Sequence, residues 1–172
     1  MNILIAIYRR IYAFSNMVGE LAKWLILGFI ATISFDVFMR YVFNMPTVWS
    51  YDISYMLGGT MYLLGGVYCI RHDGHVRMDF LRERFSDRQK LIIDVVLSVL
   101  LFFPVMAILI KVSFGYTVPS WITRERVDVT YWAPLLFPFR TVVSLLFCFL
   151  GLAGIGWFIG NLIRLFGREK LD

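Results

Sequence analysis

Residues 71–79 read RHDGHVRMD, placing both histidines of the chain, two aspartates and two arginines directly after an uncharged run from 53 to 70. His72, Asp73, His75 and Asp79 are all metal-ligand types, so a metal centre is the first chemistry to weigh. A structural zinc usually draws a second pair of ligands from elsewhere in the chain. No other histidine exists, and Cys69 and Cys148 stand within apolar runs, where cysteine is a small packing residue. Two single buried cysteines make no disulfide framework. Gly74 supplies a helix stop. The stretch therefore reads as a capped helix end followed by a charged loop, and no metal or other cofactor is expected.

Other chemistry fares no better. A haem-binding four-helix membrane protein needs histidines inside its spans, and these runs contain none. No Gly-x-Ser-x-Gly elbow occurs, and no serine shares a membrane depth with a histidine. The expectation is a chain without catalytic residues and not an enzyme.

The elements around the cluster explain its position. With 59% hydrophobic residues and a mean hydropathy of +0.72, the chain carries more apolar surface than a soluble core of this size hides. About 20 helical residues cross the hydrocarbon layer, which predicts an all-α membrane protein with spans over 20–43, 48–70, 88–112 and 136–163. Asn2, Arg9, Asn16 and Lys23 recur every seven residues. That spacing predicts an amphipathic interfacial helix over 2–16, bending near Ser15–Gly19.

Charge reports sidedness here, although a net +5 first suggests nucleic acid. With the N-terminus inside, twelve Lys and Arg fall on the inner side and five on the outer, and the loop between spans two and three is the most basic. This is the positive-inside pattern for four spans with both termini cytoplasmic. Without a charged segment ahead of the first apolar run or a small-residue cleavage pattern, no removable signal peptide is expected.

Local signals mark the span ends. Asp36 and Arg40 stand at i and i+4 in the order that suits an ion pair. Asn44 and Pro46 supply turn chemistry. Asp52 falls in the first turn of span two, where the helix dipole favours an acid, and Trp49, Tyr51 and Tyr55 suit an interfacial belt. Ser86-Asp-Arg-Gln89 fits a capping box. The stretch from Lys111 to Arg140, with Pro119, Pro134, Pro138, Trp121, Tyr131 and Trp132, is expected to hug the outer interface, with a kink or delayed start at Pro138.

The ionisable residues of the spans, Asp36, Arg40, Asp52, Asp94 and Lys111, all lie towards predicted ends, and no broken helix or inverted repeat is evident. That argues for a support subunit over a pore. Small residues are the positive feature: Gly58, Tyr62, Gly65 and Cys69 share a face of span two, and Gly156 and Gly160 form a Gly-x-x-x-Gly in span four. Such faces bring helix backbones close together in lipid, either within this chain or against another membrane protein.

RYVFN at 40–44, Trp49 followed three residues later by Asp52, the glycine-rich second span and RHDGHVRMD occur in one order. Together they resemble the small membrane subunit of tripartite ATP-independent periplasmic (TRAP) transporters, the DctQ-like family. The resemblance is closest over 40–81 and extends as a four-span layout to the rest; the family more often carries Glu at the place of Asp52. Arg40, Asn44, Trp49, Asp52, His75 and Asp79 are the residues that match its pattern.

The resemblance implies a bacterial inner-membrane protein working with a large membrane subunit and a periplasmic substrate-binding protein, in contact with lipid and not with nucleic acid. Sodium and the organic acid would bind the large subunit. This chain would enlarge the fixed scaffold, with Gly58, Tyr62, Gly65, Cys69, Gly156 and Gly160 as subunit-interface candidates and Trp49, Arg124, Arg126 and Trp132 as candidates for docking the binding protein. The alternative is a small assembly or regulatory subunit of another membrane complex.

Overall fold

The computed structural model describes residues 2–71, 85–128 and 130–166. Its helices are α1 (Asn2–Val42), α2 (Ser50–Arg71), α3 (Asp87–Leu97), α4 (Phe103–Thr123) and α5 (Phe137–Phe166), with a π-helical turn at Ser98–Phe102 joining α3 to α4. They make four segments long and apolar enough to cross a membrane: Tyr8–Val42, Ser50–Ile70, Arg88–Thr123 and Phe137–Leu165.

The helix expected over 2–16 is present and is continuous with the first span, with no break in helix at Ser15–Gly19. α1 runs unbroken for 41 residues, about 60 Å at 1.5 Å per residue. Packing continues across that region. Val18 and Ala22 enter the core and Ser15 is buried. At Gly19, the expected break, the Tyr68 ring of α2 lies so close that a Cβ would stand 2.2 Å from its Cδ2. Arg9, Asn16 and Lys23 keep the polar stripe exposed, and Lys23 pairs with Glu20.

The third span, expected over 88–112, continues to Thr123. Its start matches the sequence: Ser86 and Gln89 form the capping box, with the Ser86 N–H donating to Gln89 Oε1 at 3.0 Å. The π turn follows from Pro104, which lacks an N–H and crowds the carbonyl four residues back. Just before it, the Phe103 N–H donates to Ser98 O, five residues back. Adjacent Phe102 and Phe103 then both reach α5: a Cβ on Gly154 would lie 2.1 Å from the Phe102 ring, and Phe103 meets Phe158 edge-on at 5.3 Å.

Beyond residue 112 the chain becomes more polar, yet helix persists because α5 satisfies its hydroxyls. Ser144 Oγ lies 2.7 Å from Ser113 Oγ and 2.7 Å from Thr117 Oγ1, and Thr117 Oγ1 also donates to Ser113 O. Lys111 therefore stands inside the helix, about 18 Å before its end. Arg124, at φ 49°, closes α4 with its N–H on Ser120 O. α5 begins at Phe137, so Pro138 occupies its opening turn, where no donor is needed, and introduces no kink.

α5 is the hub. It packs against α1, α2, α3 and α4, while α1 and α2 also pack on each other. The core is small: Val18, Ala22, Leu64, Val67, Ile70, Leu146 and Ala153, with Phe102, Phe149 and Trp157 packed around it. Between 11% and 28% of each span's most apolar window is buried, so the greater part of the apolar surface faces outward. In lipid that surface gives no drive for helix association, which leaves close backbone approach and cross-helix hydrogen bonds to hold the bundle together.

Candidate functional site

One end of the bundle carries two polar clips. At the α1–α2 corner, Arg40 Nη2 donates to Asp36 Oδ2 at 2.7 Å, and the Thr47 N–H donates to Asp36 Oδ1 at 3.0 Å, joined by the Thr47 hydroxyl. Asn44 takes φ 53°, a left-handed conformation that Asn tolerates, and the Met45 N–H folds back to Met39 O at 3.1 Å. Trp49 stacks on Phe35 at 5.8 Å. Arg40, Asn44 and Trp49 thus shape a helix corner.

The second clip ties residues 124–128 to residues 130–136. Val127 N–H donates to Pro134 O at 3.0 Å and Leu136 N–H to Glu125 O at 2.9 Å. Arg140 of α5 forks onto both oxygens of Glu125, at 2.5 and 2.8 Å, and donates to Tyr116 O at 3.2 Å. Thr130 Oγ1 donates to Asp52 Oδ2 at 2.7 Å, and Asp52 is only 3% exposed. Asp52 therefore fastens this segment to the first turn of α2. Sequence reasoning missed Thr47, Glu125, Thr130 and Arg140 in these roles, because their partners lie between 11 and 78 residues away.

Arg124 and Arg126 come together with Trp121, Leu135 and Phe137 around one open groove beside this segment. Arg126 Nη1 reaches Ala133 O at 3.4 Å, and Trp121 Nε1 donates to Thr141 Oγ1 at 2.8 Å. Trp132 is exposed and Tyr131 wholly so.

The small-residue faces divide. Gly156 and Gly160 have α1 seated on them: a Cβ at Gly156 would fall 2.7 Å from Ile11 Cγ2, and one at Gly160 3.0 Å from Tyr8 Cε2. Gly58 is covered by Phe29, 3.5 Å from a built Cβ. Gly65, by contrast, has nothing within 4 Å, and its neighbour Tyr62 is 80% exposed; Cys69 is partly exposed. The bundle uses its Gly-x-x-x-Gly internally and leaves the Tyr62–Gly65 face of α2 uncovered.

His75 and Asp79, with the rest of 72–84, lie outside the described residues. Among the described residues no three His, Cys, Asp or Glu side chains gather as a metal site would require.

A family model described as "Tripartite ATP-independent periplasmic transporters, DctQ component" matches residues 29–168. No curated protein and no solved structure matches the chain. The match takes in the Asp36–Arg40–Thr47 corner, α2, the segment clipped by Asp52 and Arg140, and all of α5. The chain belongs to the DctQ family, the small membrane component of tripartite ATP-independent periplasmic transporters.

Proposed function

We propose that the chain is the fixed, non-catalytic scaffold subunit of a sodium-coupled organic-acid importer in the bacterial inner membrane, and that it packs on a large permease subunit through α2. Gly65 carries the reading. In the middle of a spanning helix a glycine costs up to about 1 kcal/mol relative to alanine and repays that only where another backbone comes close. Gly19, Gly154, Gly156 and Gly160 each have a side chain of this protein against them, whereas Gly65 of α2, like Gly115 of α4, has open space, and Gly65 lies beside the exposed Tyr62 on the face that also carries Cys69. A partner helix fits that vacancy. An elevator-type transporter needs a broad static reference in the bilayer, and three other spans packed around α5 supply one.

The test is co-purification. Gly65→Leu with Tyr62→Ala is expected to leave the melting temperature of the isolated chain unchanged and to lower recovery of the large subunit about ten-fold, roughly 1.4 kcal/mol. Recovery and uptake equal to wild type would remove α2 as the contact. Gly58 makes a poor probe because Phe29 already covers it.

The arginine groove favours a second role on the same reading. With both termini cytoplasmic, residues 124–136 face the periplasm, where Arg124, Arg126 and Trp132 would meet an acidic patch on the binding protein. Surface charges act mainly on encounter rate. Arg124→Glu with Arg126→Glu is therefore expected to raise, roughly ten-fold at low salt, the binding-protein concentration giving half-maximal uptake, with the maximal rate kept. An unchanged concentration dependence would assign the groove elsewhere.

A further inference from the structure

We propose that the end of the bundle opposite the arginine groove holds a phosphate oxyanion in a cavity between the start of α1 and the end of α5. This site uses only this chain and stands independently of the reading above. Asn161 is 4% exposed, and its Nδ2 has no hydrogen-bond partner. It lines a partly open cavity of about 30 Å³ with Tyr8, Tyr12, Ser15, Trp157 and Arg164, above the roughly 10–15 Å³ that a single water needs. The Gly156 and Gly160 contacts bring α1 down onto α5 beside it, so the cavity is a gap in an otherwise close helix contact.

The lining sets the sign of the ligand. An amide N–H and a guanidinium only donate, and the tyrosine and serine hydroxyls donate as readily as they accept. Among the described residues no Asp or Glu lines the cavity, and Arg9 and Arg10 are exposed on the adjoining turn of α1. A buried donor among cationic and hydroxyl donors calls for an anionic acceptor. Tyr8, Tyr12 and Trp157 are the residue types of the membrane interface, the depth at which phospholipid phosphates lie. A phosphate reaches this position either as a lipid headgroup or as the free ion.

The full chain, purified in detergent, is incubated separately with dioleoylphosphatidylglycerol, with dioleoylglycerol (the same tails without phosphate) and with inorganic phosphate, then followed by native mass spectrometry and thermal melting. Wild type is expected to retain one phosphatidylglycerol and no dioleoylglycerol. Asn161→Asp, which sets a carboxylate against the ligand, and Asn161→Leu, which removes the donor at similar volume, are each expected to weaken retention about ten-fold or more. Asn161→Leu keeps the wild-type melting temperature, which separates lost binding from lost folding. A rise in melting temperature with inorganic phosphate equal to that with the lipid assigns the site to the free ion; a rise with the lipid alone assigns it to the headgroup. If Asn161→Asp fails to fold, Asn161→Leu and Arg164→Gln carry the comparison, with the same loss expected. Equal retention of phosphatidylglycerol by wild type and variants, or equal retention of dioleoylglycerol, overturns the proposal and leaves the cavity to water.

Discussion

At the scale of the residue, Asp52 changes meaning most. Its place in the first turn of α2 and in the family pattern were legible from sequence, and the helix dipole accounts for an acid there. Its burial and its hydrogen bond from Thr130 were not, because 78 residues separate the pair. A buried carboxylate that loses a donor bears much of its desolvation cost. Thr130→Val is therefore expected to destabilise the chain by roughly 1.5–3 kcal/mol, read as a shift in denaturant unfolding in detergent with far-UV helicity retained. A change within the ordinary ±0.5 kcal/mol of surface substitutions would mean that water replaces the threonine and that the clip is dispensable. The Asp36–Arg40 pair was readable because both partners lie one turn apart on α1; Thr47, which joins them from beyond the corner, was not.

At the scale of the element, the glycines decide which faces are already occupied. Gly156 and Gly160 looked equally suited to a neighbouring helix of this chain or of another protein. α1 takes them, and it does so because its first turns are one unbroken helix with the first span. Gly156→Leu is expected to push Ile11 and α1 away from α5 at a cost of roughly 1–3 kcal/mol, the usual range for overpacking. The measurement is melting of the isolated chain, where Gly65→Leu serves as the contrast because nothing lies within 4 Å of it. Equal melting of the two variants would show that α1 is not held on α5 in membranes or micelles. The third span makes the same point: Pro104 was visible in the sequence, but the π turn before it and the extension to Thr123 depend on Gly154 and Ser144 of α5 receiving Phe102 and Thr117.

At the scale of the whole molecule, the distribution of Lys and Arg predicts the sidedness of the chain. In a background with Cys69→Ser and Cys148→Ser, Tyr131→Cys is expected to react with a membrane-impermeant maleimide on intact cells, and Arg10→Cys only after lysis. The reverse pattern would invert the topology and move the arginine groove to the cytoplasm. The sequence alone determined the four apolar segments, the capping box at Ser86, the Asp36–Arg40 pair and the family pattern. Hydropathy, caps and neighbouring-turn pairs are local quantities that need no knowledge of the fold. Only the tertiary structure decided that α5 is the hub, that Gly156 and Gly160 face inward while Gly65 faces out, and that Asp52 and Arg140 pin the segment between α4 and α5. The physical reason is that lipid supplies no hydrophobic drive to choose among apolar faces. The choice falls to close contacts and hydrogen bonds between helices distant in sequence, and those exist only once the bundle is assembled.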